Sequence, residues 1–193
     1  MKISMPMRYL SAAALFCAGK EDLRHHLWCV RVRDGSALAT DGHTLLIIES
    51  KEIIADGEYL ILADDARELA KTRQPQLDIA PHDDNPNAGL GLWRVIHSQP
   101  GPYSSSTDTL VAAAKSSLAN GKTEPGHYNP HLLVRFWAAA KILLQPRRGR
   151  YVGADLHQRG PTGMAPVTIY GCPEVLGIVM PMRPFDPDLR GKK

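Results

Sequence analysis

Four residues near the N-terminus carry side chains that bind metals or move protons: His25, His26, Asp41 and His43. Imidazoles grouped with a carboxylate are the raw material of a metal or nuclease site. Their local setting argues against it. Asp41-Gly42 is first of all a turn signal, and paired histidines at the start of a strand are ordinary surface residues. The chain has no G-x-S-x-G elbow, no Gly-rich phosphate loop and no Cys-x-x-Cys pair. An enzyme using His43 and Asp41 is therefore the least favoured reading, and no cofactor or metal is expected.

A second kind of chemistry is recognition. Residues 175–183 read V-L-G-I-V-M-P-M-R. An apolar strand runs into two methionines around a proline, and an arginine follows. Met is flexible and polarizable and suits surfaces that accept varied apolar partners. Pro181 donates no ladder hydrogen bond and belongs at a strand end or sheet edge. The plainer reading is a last core strand whose ending is accidental. Residues 39–45 read A-T-D-G-H-T-L, a tight turn between two apolar stretches.

The elements that must position these stretches follow from periodicity. A short strand at 2–4 precedes a helix capped by Ser4, with Pro6 in its first turn. Tyr9, Leu10, Ala13, Phe16 and Cys17 recur at helical spacing. Residues 26–33 alternate as a strand, Asp34-Gly35 is a hairpin turn, and strands at 36–40 and 44–49 flank Asp41-Gly42-His43. A strand at 59–62 leads into a helix capped by Asp64 or Asp65 and ending near Lys71, with strands at 76–79 and 90–97 around a loop at 81–89. Thr107 or Asp108 caps a helix over 107–119, with Leu110, Val111, Ala114 and Leu118 apolar. Asn129 and Pro130 start another helix, and strands follow at 151–157, 166–170 and 175–182. Arg147-Arg148-Gly149-Arg150 reads as a solvated basic turn.

Together, A-T-D-G-H and V-M-P-M-R resemble the bacterial β sliding clamp, the ring that tethers a replicative polymerase to DNA. The family carries A-T-D-G-H-R-L in its middle domain and closes its last domain with V-M-P-M-R. Asp22-Leu23-Arg24-His25-His26-Leu27 is similar to the family's D-V-R-Y-Y-L segment, and 128–133 to its F-N-x-x-Y-V helix start. Thr44 stands where the family has arginine, and Arg135 where it has an acidic residue. The resemblance implies an α+β, DNA clamp fold of repeated half-domains, with antiparallel sheets and helices on one face. It divides the chain into a clamp domain at 1–98, a connector at 99–126, a half-domain at 127–183 and a polar tail at 184–193.

What the resemblance implies for function is a processivity factor, not an enzyme, that encircles double-stranded DNA without sequence preference. The partners implied are a DNA polymerase, other proteins with a clamp-binding motif and a clamp loader. The peptide groove would draw on Leu27, Thr40, Gly42, His43, Thr44 and Leu45, and on Ile178, Val179, Met180, Pro181, Met182 and Arg183. Arg24, Lys71, Arg73, Lys115 and Arg135 would face DNA. The alternative is a decoy or adaptor that keeps the groove without forming a ring. A homo-oligomer is expected, with open sheet edges near 167–170 or the N-terminal strands.

Composition sets the outer bounds. At 193 residues the chain is long enough for a sizeable core. Its net charge of +3 is weak evidence for nucleic acid, and the clamp family tends to be acidic. Cys17, Cys29 and Cys172 lack metal-ligand spacing and read as buried free thiols of a reducing cytoplasm. No apolar run approaches membrane-spanning length.

Overall fold

The computed structural model describes residues 3–79, 92–95, 104–121, 123–145 and 151–182. The loop expected at 81–89, the basic turn at 147–150, Arg183 and the tail lie outside them. β1 (Ile3–Pro6) forms a small antiparallel sheet with β5 (Ile54–Ala55) on one side and β7 (Gln76–Ile79) on the other. The main sheet has eight strands: β2 (Cys29–Arg33), β3 (Ser36–Thr40), β4 (Thr44–Glu49), β6 (Glu58–Leu62), β8 (Leu92–Val95), β9 (Ala154–Leu156), β10 (Ala165–Ile169) and β11 (Cys172–Val179). Their order is β8-β6-β2-β3-β4-β11-β10-β9, antiparallel throughout.

Local chemistry explains most boundaries. Gly35 takes a φ of +73°, which closes the β2–β3 hairpin without a Cβ penalty. α1 (Met7–Ala14) starts on Pro6, whose ring fixes the extended entry. Ser4, expected to cap it, lies instead in β1, and its hydroxyl donates to Asp78 at 2.5 Å. α2 (Ala63–Lys71) likewise has Leu62 at its cap. Asp64 and Asp65 fall inside its first turn, where they complement the helix dipole. α4 (Pro130–Leu144) follows the sequence: Asn129 Oδ1 accepts from the His131 N–H at 3.0 Å, and Pro130 is the first helical residue. α3 (Ser104–Asn120) begins three residues before the expected cap at Thr107.

One expected strand is half a strand. Residues His25–Trp28 form a 3-10 turn, and the extended run starts only at Cys29. Tertiary bonds override the alternating pattern there. Trp28 Nε1 donates to the Asp22 carbonyl at 2.9 Å, and the Leu27 carbonyl accepts from Ala18 N–H at 2.8 Å.

Successive strand residues point to opposite faces, so each strand feeds two cores. On one face Val30, Val32, Ala37, Ala39, Leu46, Ile48 and Ile61 pack under α1, α2 and α4. Phe16 and Phe136 meet there with ring centroids 4.8 Å apart. Gly177 gives the Phe136 ring its room: a Cβ on it would lie 2.2 Å from Cε1. On the other face Leu38, Leu45, Ile47, Leu176 and Ile178 pack with Leu27 under Val111 and Ala114 of α3. The helices of the three half-motifs thus share one face, as the clamp resemblance implies, and α3 adds a helix on the opposite one. The larger core and the main sheet both run across residues 98–127, from β4 into β11.

Cys17, Cys29 and Cys172 are buried thiols outside any disulfide, and burial pushes the Cys29 thiol up to about 11. β10 is not an edge, contrary to expectation, because β9 and β11 flank it. Among the described residues the edges of the main sheet are β8 and β9.

Candidate functional site: the meeting of two chain segments

The β4–β11 register pairs Thr44 with Val179 and Leu45 with Ile178. This sets the turn at 40–43 beside the residues that leave β11. The Met180 N–H donates to the His43 carbonyl at 2.9 Å, and the Met182 N–H to the His127 carbonyl at 2.7 Å. The 180–182 segment is therefore pinned on both sides past the strand end. Met180 and Met182 are exposed, as are Gly42 and His43.

Asp41 builds the turn. Its Oδ1 accepts from the N–H groups of His43 (2.8 Å) and Thr44 (2.7 Å) and from the Thr44 hydroxyl (3.0 Å). Its Oδ2 accepts from Arg135 Nη1, which reaches across from α4 and also approaches Thr44 Oγ1 at 3.4 Å. Burial works to raise the Asp41 pKa. The backbone donors of Thr44 and His43 and the Arg135 guanidinium outweigh it and hold the carboxyl below its ordinary range. Gly42 has a φ of +89°, and a Cβ there would sit 2.9 Å from Arg24 Nη1. Thr40 Oγ1 donates to the Thr44 carbonyl at 2.6 Å and accepts from the Gly42 N–H at 3.0 Å.

The twelve residues expected in a peptide groove separate into three groups. Gly42, His43, Met180 and Met182 form an open rim, with Pro181 and Thr40 half-buried beside them. Leu27, Leu45 and Ile178 are each no more than 5 % exposed and lie beneath α3. Thr44 and Val179 are buried toward the other face: Thr44 serves the Asp41 network and Val179 belongs to the larger core. Arg183 is outside the described residues.

The cations expected to face DNA are mostly paired. Arg24 makes two bonds to the Asp22 carboxylate, at 3.0 and 2.7 Å, and these hold Asp22 down to about 2. Lys71 pairs with Glu68, and Arg135 with Asp41. Arg73 is exposed just past α2, with φ of 59°. Lys115 does not share their face. It sits on α3, across the sheet, and binds Glu49 at 2.6 Å.

One pairing here carried no signal in the sequence. Asp41 was legible as a turn former, but its bond to a residue 94 positions away carries no local signal. Position 44, where the resemblance places an arginine, holds threonine, and the guanidinium that reaches Asp41 comes from α4. Among the described residues no group of three or more His, Cys, Asp or Glu is arranged to hold a metal, and no helix is long and apolar enough to cross a membrane.

Three helices on one face of antiparallel sheets, repeating after short strands, define the DNA-clamp fold. Solved structures give it a particular likeness. The DNA polymerase sliding clamp of Bacillus subtilis superposes with a TM-score of 0.56 at 13% identity, over 96% of this chain and 65% of that one. The sliding clamp of Pseudomonas aeruginosa gives 0.56 at 14% identity, over 95% and 67%. The DNA polymerase III β subunit of Thermotoga maritima gives 0.52 at 13%, over 95% and 65%. No protein-family profile and no curated protein sequence matches the chain. The likeness is one of fold, and the chain spans about two-thirds of the length of these clamps.

Proposed function

We propose that this protein is a short sliding clamp: a non-enzymatic processivity factor whose copies assemble into a ring around duplex DNA. It tethers a DNA polymerase and other proteins carrying a clamp-binding motif, and it works in the cytoplasm with a clamp loader. The observation that carries this reading is the juncture of 40–45 with 178–182 through the β4–β11 register. Those are the two segments from which the resemblance builds a peptide groove, and they come from distant parts of the chain. The expected ligand is an extended peptide of five or six residues with a glutamine and one or two large apolar side chains. A few anchors in small pockets give such a peptide an affinity of about 1 μM, or roughly −8 kcal/mol.

A specific observation supports a second reading, the decoy or adaptor that binds partners without encircling DNA. Arg24, Lys71 and Arg135 each have an acidic partner, which leaves less positive charge for phosphates. Solution mass separates the two. The clamp reading expects a homo-oligomer at micromolar concentration, whose DNA affinity is indifferent to sequence and falls steeply with salt, as counterion release requires. Arg73→Ala then flattens the salt slope by about one unit, since this cation braces no core contact. A strict monomer with no salt-dependent DNA binding sinks the clamp reading in favour of the adaptor.

A further inference from the structure

We propose that α3 is a resident occupant of the peptide groove, so that a partner peptide reaches the apolar floor only by displacing it. This rests on the groove reading above and names how that groove is regulated. The floor is Leu27, Leu45 and Ile178, continued along the same sheet face by Leu38, Ile47 and Leu176. All six are between 2 and 8 % exposed, and the helix that covers them is α3. The rim beside them, Gly42, His43, Met180 and Met182, is open. One half of a continuous recognition surface is thus presented and the other half is shut.

The way α3 is held is that of a detachable cover. Its sequence, SSSTDTLVAAAKSSLAN, is rich in serine, threonine and alanine; among the described side chains Val111 and Ala114 are buried, and Leu118 packs half-buried against the same cluster. Polar clasps at the surface add to this small apolar contact. Lys115 binds Glu49, with both side chains about half exposed. Arg159 reaches Ser117 through Nε to Oγ at 2.9 Å and Nη2 to the carbonyl at 2.8 Å. Asp108 meets Arg31 and Arg33 only at 3.5 Å each.

A buried cation lies under the cover beside Asp108. Arg31 lies on the same sheet face, 3 % exposed, with Glu58 at 3.0 Å. Its Nε is buried and finds no acceptor among the described residues. A buried donor without a partner works against closure, and lifting α3 returns it to water. Segments that move in binding come from such weakly held parts of a fold. Apparent affinity for a peptide is lowered by the fraction of molecules in the open form.

The test uses the full chain and a fluorescent hexapeptide containing one glutamine, one leucine and one phenylalanine among serines. Val111→Ser combined with Lys115→Ala loosens α3 without touching a groove residue. It is expected to bind the peptide at least tenfold more tightly than the parent, while Met180→Ser with Met182→Ser binds more weakly. In the unaltered chain, amide hydrogen exchange over 108–119 is expected to speed up as the peptide saturates, which requires no variant to fold. If parent and loosened chain bind equally and exchange in α3 is unchanged or slowed, with the methionine variant still weakened, the cover is refuted and the groove stands. If neither chain binds the peptide, or binding ignores both methionines, the groove reading fails and the cover with it.

Discussion

The two faces of the main sheet are built from the same strands and are defended very differently. On β4, Leu46 and Ile48 point to the α1–α4 side, and Leu45 and Ile47 point to α3. The first side closes with three helices and with large side chains buried to 2 % or less, among them Tyr9, Phe16 and Phe136. The second closes with one helix that buries a valine and an alanine and half-buries Leu118, with Ala18 and Met164 beside it. Burying a large aromatic contributes far more than burying two small aliphatics, because the stabilisation follows the apolar area removed from water. The fold therefore rests chiefly on the helix-rich face, and the α3 face is closed by fewer large side chains.

The largest expected effect tests this asymmetry directly. Phe136→Ala leaves a cavity beside Phe16 and Gly177 and should cost about 3–5 kcal/mol. Val111→Ala on the other face removes two methyl groups and should cost about 1–2 kcal/mol. Each kcal/mol lowers the melting temperature of a chain this size by about 2–4 °C, so thermal denaturation separates them clearly. Equal losses would mean that α3 is as integral to the fold as α4, and the comparison would break.

Asp41 ties α4 on the helix-rich face to the turn at 40–43, and its effect should be next in size. Its folded pKa lies below the unfolded value near ~3.9. The stability it contributes is therefore fully present above that value and is lost as pH falls through the lower folded pKa. Asp41→Asn should cost about 1.5–3 kcal/mol at neutral pH, the range for hydrogen bonds to a charged group. The gap between parent and variant should shrink as pH is lowered toward 3. Urea unfolding at pH 7 and pH 3.5 checks it, and a gap that widens in acid would contradict the Arg135 pairing.

Much of the fold was legible because local chemistry and tertiary structure agree. The Asp34-Gly35 hairpin, the Asn129 and Pro130 helix start and the strands around 41–43 lie where turn and cap residues put them. The run Leu45-Leu46-Ile47-Ile48 has no polar alternation, which is how a strand covered on both faces reads. What would cover the second face was not legible. α3 has a narrow apolar stripe, Leu110, Val111, Ala114 and Leu118, which marks the side that packs without marking which sheet face receives it. The residues of the proposed groove divide in the same way. The juncture of 42–43 with 180–182 could be read from the two motifs, whereas Leu27, Leu45 and Ile178 lie in a buried cluster with Val111 and Ala114 of α3. Leu27 would therefore be a poor groove probe: Leu27→Ala opens a core cavity as well as altering the floor. Arg135, read as a DNA contact, is drawn to Asp41 by a non-local pairing that no spacing rule reports.

The smallest expected effect concerns the edge of the weaker face. Lys115 and Glu49 are both about half exposed at 2.6 Å. An exposed pair gains little Coulomb energy in water, loses side-chain entropy to its fixed geometry and is screened by salt. Lys115→Ala should thus lower stability by less than about 1 kcal/mol in low salt. At 1 M salt, where the Debye length is about 3 Å, the difference should nearly vanish. Urea titrations of parent and variant at the two ionic strengths measure it. A small, salt-erased loss means that α3 is held chiefly by Val111, Ala114 and Leu118, with Lys115 as a surface clasp. A loss of several kcal/mol that survives high salt would make this ion pair a structural anchor, and the two faces of the sheet would then differ less in strength than their side chains imply.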